Sequence, residues 1–264
     1  MQTRLLRRWV RRHRLSARVL GEFRVEQLSR SPKARDLQRC TALTREGSVF
    51  VDVGASVGNY SLAACRKLGR SGMVLALEPN PLVFEELLAS TWGARITPLN
   101  LAASDRSGWA TLRVPVSPNG SAEGPLGSLE TRASADQVAH HRVRTVRLDD
   151  LISGTQAVSV IKVDVEGHEL SVLQGATETM SRDRPCLVVE IEDRHLVDVG
   201  VHDVVEWTVG QGYEAFAIGT KSLIPWAEFS VHQHQTRWLT RIGATTSIIP
   251  GAPYINNFLF IPID

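Results

Sequence analysis

The sequence predicts an α/β fold: a mostly parallel sheet with helices on both faces. Two observations carry this. From Ser48 onward, short apolar runs alternate with amphipathic segments, the pattern of repeated βαβ units. In addition, 264 residues with 43% hydrophobic and 22% charged side chains are enough to bury a sizeable core.

The elements follow in order. "SVFVDV" reads as a strand, and Val57 to Leu68 as a helix closed by Gly69. "MVLALE" is the next strand, and its helix is capped by Asn80 with Pro81 in the first turn. "RITPLNLAA" is a third strand and "SVIKVDV" a fourth, with a helix from about Glu169 ending near Gly175. "CLVVEIE" is a fifth, followed by a helix from about His202 to Val209, then "YEAFAI" and "NNFLFIPI".

Two stretches interrupt the alternation. Residues 115–142 are rich in Pro, Gly and Ser, and residues 219–256 hold Trp226, His232, His234 and Trp238; both read as irregular insertions able to act as lids. Asp149 and Asp150 are expected to start a helix. His232 and His234 read as solvated. Residues 1–47 read as a basic helical arm or cap, and 48–264 as the main domain. Six arginines precede position 15, whereas the first acid is Glu22. That arm could touch an anionic membrane surface.

The net charge of +2 comes from 30 basic and 28 acidic residues and says little about partners. Without interleaved aromatic and basic residues, no nucleic-acid partner is expected. Three scattered cysteines, Cys40, Cys65 and Cys186, suit a reducing cytoplasm rather than a disulfide framework. No apolar run has the length of a membrane span.

"FVDVGASVGNYS" places a glycine turn after a strand, where ligands of open α/β sheets bind. Gly54 permits a sharp turn, and Gly58 lets the next helix approach the strand. About 20 residues past Gly58, Glu78 ends the second strand, from which a carboxylate accepts both hydroxyls of a ribose. A dinucleotide fingerprint counted from Gly54 would need glycines at Ser56 and Asn59. This disfavours NAD, yet a nucleotide-dependent oxidoreductase and a noncatalytic binding module stay as alternatives.

The blocks "FVDVGASVGNYS", "LALEPNP", "LNLAASDRSGWATL", "GSL", "VRTVRLDDLI", "IKVDVEGHELSVLQGA" and "CLVVEIE", in this order over roughly Val49 to Glu192, resemble the FkbM-type family of class I methyltransferases. The resemblance implies a Rossmann-like class I methyltransferase fold with seven strands, the last antiparallel. It also implies S-adenosylmethionine as cofactor and a small-molecule hydroxyl acceptor, a sugar or a natural product. By resemblance, the turn Gly54, Ala55, Ser56 to Gly58 would face the methionine part of the cofactor, with Asp52, Asn59 and Tyr60 also among the cofactor-binding residues. Glu78 and Pro79 would lie at the ribose, Asn80, Ala103 and Ser104 beside the adenine, and Asp164 near the methyl.

"IKVDVEGHE" supplies catalytic candidates. With alternating side chains, Lys162, Asp164 and Glu166 share a face if the extended chain persists to Gly167. His168 is a candidate base if its ring faces the pocket. Lys162, inside an apolar strand, needs a carboxylate partner such as Asp52 or Glu190. A divalent metal held by Asp164, Glu166 and Glu190 is a lesser alternative, because these carboxylates lack characteristic ligand spacing.

Overall fold

The structure, a computed structural model, describes residues 34–116, 127–130, 138–152, 154, 156–242 and 245–263. The arginine-rich part of the expected arm, residues 1–33, lies outside them, as does most of the expected 115–142 insertion. Among the described residues no helix is long and apolar enough to cross a membrane.

Helix α1 (Ala34–Ala42) leads into β1 (Val49–Val53), whose five residues are all buried. A continuously buried strand needs both sheet faces covered, which is the situation of a parallel sheet between two helical layers. Then come α2 (Asn59–Lys67), β2 (Met73–Leu77), α3 (Pro81–Ser90) and β3 (Ile96–Leu99). Asn80 caps α3 as expected: its side chain accepts from the Leu82 amide at 3.1 Å, and Pro81 occupies the first turn.

The expected strand "RITPLNLAA" is divided. Ile96–Leu99 pairs with β2, while β4 (Ala102–Ala103) joins a separate three-stranded sheet with β5 (Gly108–Pro115) and β6 (Val138–Val146). The break falls at Asn100, whose side chain donates instead to the carbonyls of Glu78 (2.8 Å) and Pro79 (3.0 Å). Strand β6 also extends into the stretch read as irregular. Its outer face is polar (His140, Arg142, Arg144), and only Val143 and Thr145 are buried, so it carries half of a strand signal.

The rest of the chain supplies α4 (Leu148–Leu151), β7 (Val158–Val163), α5 (Glu169–Gln174), α6 (Thr177–Asp183), β8 (Cys186–Glu190), α7 (Val201–Gly210) and β9 (Tyr213–Ile218). The expected 219–256 insertion contains regular structure: β10 (Leu223–Pro225), α8 (Val231–His234) and the hairpin of β11 (Leu239–Ile242) with β12 (Thr245–Ile248). β13 (Asn257–Pro262) follows it. Phe229 stacks on His234 and meets Phe258 edge-on, so the insertion is packed against β13 rather than hinged free.

The main sheet has the order β10-β9-β13-β8-β7-β1-β2-β3. β13 runs antiparallel between β8 and β9, and the parallel strands turn about β1 and β7. This is the Rossmann-like class I methyltransferase arrangement, extended by the short edge strand β10. Two apolar layers flank it: Phe50, Leu62, Leu68 and Leu87 on one face, and Val51, Ile161, Leu173 and Phe258 on the other. Each such fully buried side chain contributes about 1.5–3 kcal/mol. The resulting rigid platform fixes where the four central parallel strands end.

Candidate active site at the carboxyl edge of the sheet

The turn after β1 and the end of β7 touch through backbone. Gly54 has φ 73°, and a Cβ there would sit 1.8 Å from the Asp164 carbonyl oxygen. Only glycine satisfies both the left-handed conformation and this approach. Gly58, φ 90°, packs against Leu87 and Thr91 of the α3 end, where an added Cβ would lie 2.9 Å from a Leu87 methyl. Ser56 adopts φ 50° without being glycine, and its amide donates to Glu78 Oε2 at 3.0 Å.

Glu78 accepts a second backbone bond at Oε1, from the Asn80 amide (2.8 Å). Burial pushes its carboxyl up to about 7, and the two amide donors only partly offset that. The same donors hold the group rigidly at the cavity wall.

At the cavity floor lies a charge cluster. Lys162 Nζ is 3.0 Å from Asp164 Oδ2 and 3.9 Å from Asp52 Oδ1, and it sits 4.9 Å from the centre of the Tyr60 ring. Burial alone would push the ammonium down, but Asp164 and then Asp52 outweigh it and hold Lys162 charged. Asp52 is completely buried, and burial raises its carboxyl despite Lys162 and the Ser61 hydroxyl, which donates to Oδ2 at 2.6 Å. The shorter Lys162–Asp164 contact is the primary ion pair.

Extended chain does not persist to Gly167. β7 ends at Val163, and Glu166 turns into the left-handed region at φ 55°. The loop nonetheless returns Glu166 and His168 to the cavity. Glu166 Oε2 lies 3.0 Å from His195 Nε2, and the Glu166 carbonyl accepts from Ser128 Oγ at 2.6 Å. The His168 ring is bound at both nitrogens, Nδ1 to Glu130 at 2.6 Å and Nε2 to Ser104 Oγ at 2.9 Å. With both nitrogens engaged by protein groups, the ring is held in one orientation at the cavity. It joins the main sheet to the second one.

Glu190, at the end of β8, accepts from Asn256 Nδ2 at 2.6 Å. Burial, then the nearby Asp164 and Glu192 carboxylates, raise its proton affinity well above the usual carboxylate range. Asn256 donates also to Glu192 Oε1 at 2.8 Å, and Glu192 is paired with Arg194.

One cavity of about 310 Å³ collects most of the expected residues. It is lined by Gly54, Ala55, Ser56, Asn59, Tyr60, Glu78, Pro79, Asn80, Ala103, Lys162, Asp164, Glu166, His168 and Glu190. Asp52, Gly58 and Ser104 do not line it. Asp52 lies beneath the floor, Gly58 faces α3, and Ser104 is turned to His168. Leu37, Leu101, Leu112, Leu129 and Val165 supply an apolar wall that the sequence reading missed. Glu130 and Asn256 were missed too, since nothing local marks them as partners of His168 and Glu190.

Among the described residues no group of three or more His, Cys, Asp or Glu is arranged to hold a metal ion. The three carboxylates considered for that role already face Lys162, His195 and Asn256.

A protein-family model described as "Methyltransferase FkbM domain" matches residues 52–215. Hexuronic acid methyltransferase AglP of Haloferax volcanii is 29% identical over 172 residues, which cover 61% of this chain and 66% of that protein. 31-O-demethyl-FK506 methyltransferase FkbM of Streptomyces tacrolimicus is 30% identical over 200 residues, covering 66% of this chain and 75% of that one. Among solved structures, methyltransferase FkbM from Methylobacillus flagellatus aligns with a TM-score of 0.48 at 18% identity, over 82% of this chain and 44% of that chain. The match thus spans just under two thirds of the length of the Haloferax volcanii relative.

Proposed function

The chain belongs to the FkbM family of methyltransferases, and from that premise we propose that it moves a methyl group from S-adenosylmethionine to a hydroxyl of a sugar or natural-product acceptor. The observation that carries this reading is a single cavity with a fixed carboxylate, Glu78, on one side and the Lys162, Asp164 and Glu190 group on the other. Two relatives named for a hexuronic acid and for a demethylated FK506 support the acceptor class.

The residues fit such a cofactor. Glu78, oriented by two amides, is placed to accept the two ribose hydroxyls in its carboxylate form. Asn59 lines the cavity, and its Oδ1 is buried without a hydrogen-bond partner among the described residues, so a turn of the amide would offer it to an N–H group such as the methionine ammonium. Gly54 leaves its turn bare, so a ligand can lie directly on the backbone. Bound there, S-adenosylmethionine supplies an electrophilic methyl carbon on a positively charged sulfur.

The chain's own contribution is placement and charge. Lys162 and Asp164 neutralise each other beneath the reacting region, and Asp164 is thereby held in one rotamer. Leu37, Leu112 and Leu129 keep water from the mouth, and holding the acceptor oxygen in line with the methyl supplies much of the rate. Asp52 acts from below, by orienting Lys162 and Ser61 rather than by touching the ligand. In this reading the described part of the expected 1–47 arm, residues 34–47, caps the 48–264 domain. Within it α1 places Leu37 at the cavity, and Arg39 donates to the Gly219 carbonyl at 3.2 Å.

Calorimetry with S-adenosylhomocysteine tests the cofactor. The wild type is expected to bind, and Glu78→Ala to bind about 10- to 100-fold more weakly while remaining folded, as suits loss of a charged hydrogen-bond acceptor. No binding by the wild type would sink the reading.

A further inference from the structure

Four residues stand level along the sheet edge. Val53 pairs with Leu77 and with Val163, and Val163 pairs with Val189. The residues one step further, Glu78, Gly54, Asp164 and Glu190, therefore follow one another across β2, β1, β7 and β8. At strand spacings of about 4.8 Å, Glu78 and Glu190 are roughly 14 Å apart. A ligand whose ribose lies at Glu78 and whose chain crosses the bare Gly54 turn reaches its far end beside Asp164 and Glu190.

Among the ionisable groups lining this cavity, most are already engaged. Both Glu78 oxygens accept backbone amides, Asp164 is in contact with Lys162, Glu166 faces His195, and both His168 nitrogens are bound. Glu190 differs. Among the described residues it is in no ion pair, and its sole hydrogen bond is at Oε1, from Asn256. The Asn256 amide is itself oriented, because Asn257 Nδ2 donates to its oxygen at 3.0 Å, so its two N–H bonds point at Glu190 and Glu192. Glu190 lines the cavity, and among the described residues its Oε2 has no hydrogen-bond partner.

We propose that Glu190 is the group that faces the transferred methyl and takes the acceptor's proton. The inference rests on the cofactor reading above. The acceptor oxygen forms its bond to the methyl carbon while the carbon–sulfur bond breaks and leaves its electron pair on sulfur. The hydroxyl proton passes to Glu190 Oε2, giving a methyl ether, a neutral thioether and a protonated carboxyl.

The surroundings suit that task. Burial, then Asp164 and Glu192, and more weakly Glu166, favour the protonated form, and Lys162 opposes them. A base with raised proton affinity is matched to an alcohol better than an ordinary carboxylate is. Asn256 is the positioning residue; His195, Arg194 and Tyr254 act one step removed, through Glu192.

The test needs no acceptor. Affinities of the full chain for S-adenosylmethionine and S-adenosylhomocysteine are measured by calorimetry from pH 5.5 to 9. The ligands carry the same titrating groups and differ in the sulfonium charge, so the ratio of affinities, read against Glu190→Gln as the baseline for the ligands' own ionisation, isolates what Glu190 does at the sulfur. In the wild type the preference for S-adenosylmethionine is expected to rise about tenfold as Glu190 ionises. In Glu190→Gln that rise should be absent, with cooperative thermal unfolding like the wild type's as evidence of folding. A flat wild-type ratio, or a rise that survives in Glu190→Gln, overturns the proposal. If the wild type binds neither ligand, the cofactor reading itself fails and takes the proposal with it.

Discussion

In the proposed cofactor site Glu78 would meet two opposing demands: it is buried away from water, and it must be ionised to accept hydroxyl donors. Burial pushes it up to about 7, so near neutrality the empty site is only partly charged. Hydroxyl donors favour the carboxylate, and binding therefore lowers its proton affinity. The affinity for S-adenosylhomocysteine is expected to fall as pH drops below about 7, approaching tenfold per unit, and Glu78→Gln should bind weakly without this dependence. Calorimetry across pH 5 to 8 checks both. Glu78, Gly54, Lys162 and Asp164 were legible because each stands at a fixed offset from a strand end. The bonding of His168 was not, since Glu130 and Ser104 come from 38 and 64 positions away.

At the scale of elements, α5 begins on a buried acid. Glu169 accepts from the Gly167 amide at 2.9 Å, its other oxygen has no partner among the described residues, and burial pushes it up to about 8. An acid whose proton affinity is raised on folding contributes stability that is full below its unfolded value near 4.5. That stability is lost as pH rises through about 8. Glu169→Gln is therefore expected to be about 1–2 kcal/mol more stable than wild type at pH 8.5 and nearly equal to it at pH 4.5, by denaturant unfolding. Elements with strong local signals, such as α3 behind Asn80 and Pro81, were plain from sequence. Weaker ones were not: β6 shows solvent one face, and Asp149, besides opening α4, caps α6 by accepting from the Thr179 amide at 2.8 Å.

Across the whole molecule, Gln235 ties the 219–256 segment to the sheet. Its fully buried amide accepts from the Asp193 amide (2.9 Å) and donates to the carbonyls of Ile191 (2.8 Å) and Ile255 (3.0 Å). Gln235→Ala should cost about 2–4 kcal/mol, because it strands buried backbone groups. Hydrogen exchange should rise first in residues 230–256. Sequence alternation revealed the layers but not this clamp, nor the order of strands, because both depend on contacts between distant segments. The placement of β13 has a kinetic consequence. β8 and β9 never pair with each other, so each keeps an open edge until β13 slides between them. Any chain in which β13 has not yet docked exposes two adhesive strands, so refolding yield should fall with protein concentration more steeply than refolding rate does.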